Sequence, residues 1–170
     1  MINLKNIDNY ITLSLTRIMA NENYDNELIH FCAVRFVNDL PKEWLDLYVE
    51  NSKKKYDQKA NKKAYPLVLI LAMLHCWFED DIIILHEGGR KDIEWLSQEL
   101  NQHTNLSITN KYINIEDLAL LRLGLKKTSL KNIAKHFGVY RVNTNKKISR
   151  DAHNCMLINR IWTSFKNSNE

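Results

Sequence analysis

DIIILHEGGRKDIEWLSQEL (Asp81–Leu100) changes its periodicity halfway along. Ile82–Leu85 is wholly apolar, the pattern of a short strand buried on both faces. Gly88 and Gly89 turn the chain. Beyond them Ile93, Trp95, Leu96 and Leu100 recur at helical spacing. Asp92 falls in the first turn of that helix, where the macrodipole favours an acid by ~0.3–1 kcal/mol. A strand buried on both faces needs helices above and below it, so this stretch predicts an α/β sheet. Its junction has two readings. Asp92 either caps a helix or belongs to a site, and Gly88–Gly89 with Arg90 and Lys91 is either a plain turn or a phosphate cradle.

Upstream, YITLSLT (Tyr10–Thr16), ELIHFCAVRFV (Glu27–Val37) and EWLDLYVE (Glu43–Glu50) read as three strands with short turns, an antiparallel meander. NDLP breaks the second from the third. YPLVLILAMLHCWFED predicts a buried helix with Pro66 in its first turn. Downstream, ITNKYINIEDLALLRLG opens as a strand and becomes a helix that Gly124 ends. TSLKNIAKHFG is an amphipathic helix stopped by Gly138, and a last helix covers about residues 149–165. The expected architecture is a mixed five-stranded sheet, meander first, with helices on its faces. It forms one domain over residues 1–170, with a frayed tail from about residue 166.

The chain has 170 residues, 45% hydrophobic and 26% charged, the balance of a chain that folds around a core. Its longest apolar run is interrupted by His75 and is too short to span a bilayer. The N-terminus lacks a charged region followed by an apolar one, so the cytoplasm is the expected location. Cys32, Cys76 and Cys155 lie far apart without metal-ligand spacing, and are expected to be buried and reduced. Net charge is +4. Lys is concentrated in SKKKYDQKANKK, which holds Lys53, Lys54, Lys55, Lys59, Lys62 and Lys63. That stretch is either a solvated loop or a nucleic acid backbone contact. Glu79, Asp80 and Asp81 read as a solvated loop, and His86 as a structural histidine.

Taken in order, four stretches resemble the DEDD family of 3′–5′ exonucleases, whose members include proofreading subunits, ribonuclease T and oligoribonuclease. They are ENYDNELIHFCAVRFVND, FEDDIIILHEGGRKDIEWLSQEL, TSLKNIAKHFGV and ISRDAHNCMLINRIW. The resemblance covers about residues 8–166 and implies a ribonuclease H-like fold. It also implies two divalent metal ions held by four carboxylates, with a histidine as base. The first acidic motif, Asp-x-Glu, falls on LSLT, so Ser14 and Thr16 stand where acids are expected. The second falls on Asp92. The last places Ser149 at the histidine and Asn154 at the aspartate, with Asp151 and His153 expected on other faces of that helix.

With Asp92 the one acid at these positions, the resemblance implies a catalytically degenerate exonuclease-like protein. Such a protein would act as a nucleic-acid-binding or protein-interaction module, with single-stranded DNA or RNA or a protein as partner and no membrane. Lys53, Lys54, Lys55, Arg90 and Lys91 are the expected nucleic acid contacts. Two alternatives are a divergent but working metal-dependent 3′–5′ exonuclease, and an accessory or inhibitor protein without a nucleic acid role. Mg²⁺ or Mn²⁺ is expected only for the working enzyme, with Asp92 at most as a ligand.

Overall fold

A computed structural model describes residues 4–18, 27–50, 64–86, 89–139 and 148–168. Lys53, Lys54, Lys55, Lys59, Lys62, Lys63, Glu87 and Gly88 lie outside these residues. β1 (Asn9–Ile18), β2 (Glu27–Val37) and β3 (Leu40–Val49) form the expected antiparallel meander. β4 (Ala64–Tyr65), β5 (Ile82–Leu85) and β6 (Tyr112–Asn114) complete a sheet of order β4-β3-β2-β1-β5-β6. β5 is parallel to both β1 and β6, and β4 is parallel to β3. The sheet therefore has six strands rather than five. The extra one, β4, takes Tyr65, which the apolar run after it had drawn into a helix. Two residues are too few to show a period.

NDLP separates β2 from β3 as expected, through its first two residues. Asn38 and Asp39 both have positive φ, at 51° and 63°, and Val37 pairs directly with Leu40. This is the two-residue hairpin turn whose twist matches the strands, and Asn and Asp tolerate it best. Pro41 then sits near the start of β3.

Alternation along the strands sorts the core into two layers. Tyr10, Cys32, Val34 and Phe36 face α5 (Arg150–Asn167), which brings Cys155, Ile158, Ile161 and Trp162 down on them. α3 (Ile115–Leu123) and α4 (Leu130–His136) pack on the same side through Ala119 and Ile133. Ile11, Leu13, Phe31 and Ala33 face the other way, against α1 (Leu67–Phe78) and α2 (Gly89–Thr104). α1 is apolar all round, but buries only Ile70, Leu71, Leu74 and Phe78; Leu69, Met73 and Cys76 are exposed. Cys76 thus departs from the buried pair Cys32 and Cys155. No helix of the described residues is long and apolar enough to cross a membrane.

Two further expectations change. Lys166 is not frayed: α5 continues through it, and its buried ammonium donates to Ile7 O at 2.9 Å and to Asp39 at 3.1 Å. Asp81 is not a solvated loop residue but is half-buried against Arg35 at 2.8 Å, while Glu79, 3.6 Å from the same guanidinium, and Asp80 are exposed as expected. Gly124 ends α3 as expected, with φ at 63° and no atom within 4 Å of where a Cβ would stand. Gly124→Ala is therefore expected to cost about 1 kcal/mol from the left-handed backbone alone, read as a shifted urea midpoint at unchanged slope.

Candidate functional site

Even-numbered residues of β1 face α5 and odd-numbered ones face α2. Ser14 and Thr16 therefore look toward the start of α5, while Arg17 looks toward the start of α2. In the antiparallel register Thr16 sits opposite His30, and His30 opposite Tyr48. Three strands thus present polar groups at one end of the face that α5 covers.

Asp151, in the first turn of α5, is the hub. Its Oδ1 accepts from Ser14 Oγ at 2.7 Å, and its Oδ2 accepts from Thr16 Oγ1 at 2.8 Å. His30 Nδ1 lies 2.6 Å from the same Oδ2, and His30 Nε2 lies 2.9 Å from Asp46 Oδ1 on β3. A carboxylate only accepts, so Nδ1 donates to Asp151, and the ion-pair contact of Nε2 with Asp46 on the other side favours the imidazolium. Ser149 caps α5 by accepting from Ala152 N, and donates to Asp46 at 2.8 Å. Asn154 Nδ2 donates to Ser14 Oγ at 3.3 Å. Tyr48 covers the His30 ring at 4.3 Å between centroids.

The protonation energetics follow. Burial alone would lower the His30 pKa, but bonds to Asp151 and Asp46 outweigh it and push it up to about 9. Burial alone would raise Asp151, yet the donors His30, Ser14 and Thr16 hold it below the usual carboxylate range. Asp92 is a separate case. Burial raises its carboxyl and the nearby Asp151 charge adds to that, while Arg17, in direct contact with it, pulls the other way. The Arg17 guanidinium also lies 5.4 Å from the centroid of Trp95.

A cleft of about 1300 Å³ opens beside this network. It lies where β1 changes from an antiparallel neighbour to a parallel one, the place where open α/β sheets bind ligands. Ser14, Thr16, Asp92, Asp151, Asn154 and His86 line it. His86 is buried and bonds Thr128 O at 2.9 Å through Nε2, which fits the structural role expected of it. Lys131 and Lys135, one turn apart on α4, and Arg150 at the start of α5 also line it. With Arg17 that makes four cations against two carboxylates, both already bonded to internal donors.

The sequence-derived positions fare unequally. Ser14, Thr16, Ser149 and Asn154 converge on one network, and Asp92, paired with Arg17, lines the same cleft. Asp151 does not point elsewhere, because residues three apart share a helix face and it lies alongside Asn154. Its 2% exposure makes it the most enclosed acid of the site. Arg90 is exposed and pairs with Glu94 at 2.9 Å, one turn on, and neither it nor Lys91 lines the cleft. Sequence reasoning missed His30, Asp46, Arg17 and the two α4 lysines. His30 had a signal: it is a polar residue in an otherwise apolar stretch of β2.

No family model matches the sequence, and no curated protein does. Among solved structures the chain is similar to one described as 3′-end specific recognition of histone mRNA stem-loop by 3′-exonuclease. The TM-score is 0.66 at 14% identity, over 92% of this chain and 62% of that chain, so this chain spans less than two thirds of it. It is also similar to a structure of the yeast NOT1 MIF4G domain co-crystallized with CAF1. There the TM-score is 0.58 at 10% identity, over 95% of this chain and 80% of that chain. At these identities the likeness is one of fold, and the fold is exonuclease-like.

Proposed function

We propose that this chain is a nucleic-acid-binding module on a ribonuclease H-like, DEDD-type scaffold, and that its cleft holds the backbone of single-stranded nucleic acid without cutting it. The observation that carries this reading is the bonding of Asp151. At the two positions where the resemblance calls for acids, Ser14 and Thr16 are hydroxyl donors that satisfy an acid on α5. Two divalent cations, which the resemblance implies, would meet a poor donor set. Mg²⁺ and Mn²⁺ need several free, charged oxygens. Here Asp151 and Asp46 share the His30 imidazolium, and Asp92 is taken by Arg17. The residues do not fit the metal pair.

The cationic lining supports the binding half of the reading. Lys131, Lys135 and Arg150 are exposed and line a cleft of about 1300 Å³. The two similar structures involve an mRNA stem-loop and a protein partner, which keeps a protein ligand as the competing reading.

The test is a gel assay with 5′-labelled single-stranded DNA and RNA, run with Mg²⁺, Mn²⁺ or EDTA. Retarded but intact oligonucleotide, equally in all three, is expected. Metal-dependent shortening that disappears in Asp92→Ala protein would make the chain a working exonuclease. Intact, unretarded oligonucleotide at low salt would point to a protein partner.

A further inference from the structure

We propose that Arg17 and His30 are resident cations which close this site to divalent metal, so that removing either one opens a cation site the native chain lacks. The inference rests on the reading of the cleft given above, and goes beyond it by assigning the exclusion to two particular side chains.

Asp46, Asp92 and Asp151 come from β3, α2 and α5 and meet at one end of the sheet. Carboxylates so placed repel one another. Such a cluster needs cations from somewhere. In this chain they are covalently attached. Arg17 reaches Asp92 from the odd-numbered face of β1 with its side chain only 13% exposed. Trp95 stands against the guanidinium, which confines it further. His30 lies between Asp151 and Asp46 with its side chain 6% exposed, roofed by Tyr48. Hydroxyls of Ser14, Thr16 and Ser149 take further positions on Asp151 and Asp46. Donors on Asp151 therefore number three, and an incoming ion would have to displace them from a buried place.

Asp92 and Asp151 both line the open cleft. Without Arg17 the Asp92 carboxylate would lose its cation and stand unpaired on the cleft beside Asp151, which keeps its three donors, so Asp92 is the hard oxygen ligand released to Mn²⁺ or Mg²⁺. Without His30, Asp151 and Asp46 would lose their shared donor, leaving a gap lined by oxygens.

The experiment measures Mn²⁺ binding to the full chain by the EPR signal of the free ion, for native protein, Arg17→Ala and His30→Ala. Circular dichroism checks that each variant is folded. Native protein is expected to leave the free Mn²⁺ signal unchanged. Arg17→Ala is expected to lower the free Mn²⁺ signal at ion concentrations where native protein leaves it unchanged. His30→Ala is expected to move in the same direction. Stoichiometric binding by the native protein overturns the proposal, whatever the variants do. Folded Arg17→Ala protein that binds no more Mn²⁺ than native protein also overturns it. Because no oligonucleotide is present, failure here is separable from failure of nucleic acid binding.

Discussion

Asp151→Ala is expected to destabilise the protein by about 3–5 kcal/mol, the range found when one partner of a buried ion pair is removed. Three donors lose their acceptor together: the hydroxyls of Ser14 and Thr16, and His30 Nδ1. His30 is left buried, with Asp46 alone to hold its charge. Asp151→Asn separates charge from shape. Its amide keeps one acceptor oxygen against three donors, so most of the loss should remain. Urea unfolding gives both numbers, and a near-native Asp151→Asn would sink the claim that the charge matters.

The same network fixes a pH window. His30 titrates near 9 when folded, against about 6.5 in an unfolded chain. Its contribution is complete below pH 6.5, where both states carry the proton, and is lost as pH rises through 9. The gap corresponds to about 3 kcal/mol across that interval. Asp151 behaves oppositely: its pKa is depressed, so its contribution is present above the ordinary carboxylate value and lost as pH falls through the folded one. Stability should therefore be greatest between about pH 4 and 6.5 and decline toward alkaline pH. A His30→Gln protein should lack the alkaline decline.

Reversing charge at Lys131, Lys135 and Arg150 together should weaken single-stranded oligonucleotide binding by on the order of 100-fold at low salt. Each lost phosphate contact removes about 0.7 from the salt slope of a single strand, so the slope should fall by about 2. All three side chains are exposed, so the thermal midpoint should stay within a few degrees. If affinity and slope are both unchanged, the cleft is not the binding surface. The same reversal at Lys53, Lys54 and Lys55 then becomes the decisive comparison.

The meander, β5, α2 and the closing helix were legible in the sequence because each repeats an apolar residue at its own period over several residues. β4 was not, since two residues carry no period. Ser14 and Thr16 could be seen as misplaced hydroxyls, but their acceptor could not. It lies on a helix 135–137 residues away. Asp151 was within reach, because its spacing from Asn154 already puts the two on one helix face. The partnership of His30 with Asp46 depends on strand register, which places β2 and β3 side by side, and on the rotamers that aim both groups under Tyr48. Lys131 and Lys135 looked like the solvated side of an amphipathic helix, and only the position of α4 turns that side toward a cleft.

α5 has a consequence for the order in which the chain can be assembled. The face of β1 and β2 that holds Tyr10, Cys32, Val34 and Phe36 is covered by Cys155, Ile158, Ile161 and Trp162. The bond from Tyr10 Oη to Asn159 spans 149 residues of sequence. During synthesis the first hairpin leaves the ribosome with a full apolar surface, and nothing made in the next hundred or so residues can cover that part of it. Contacts this distant slow folding, and an uncovered sheet face invites aggregation while it waits. A chain stopped before Arg150 should therefore accumulate as insoluble protein, and the hairpin is the segment on which a chaperone would have most to hold.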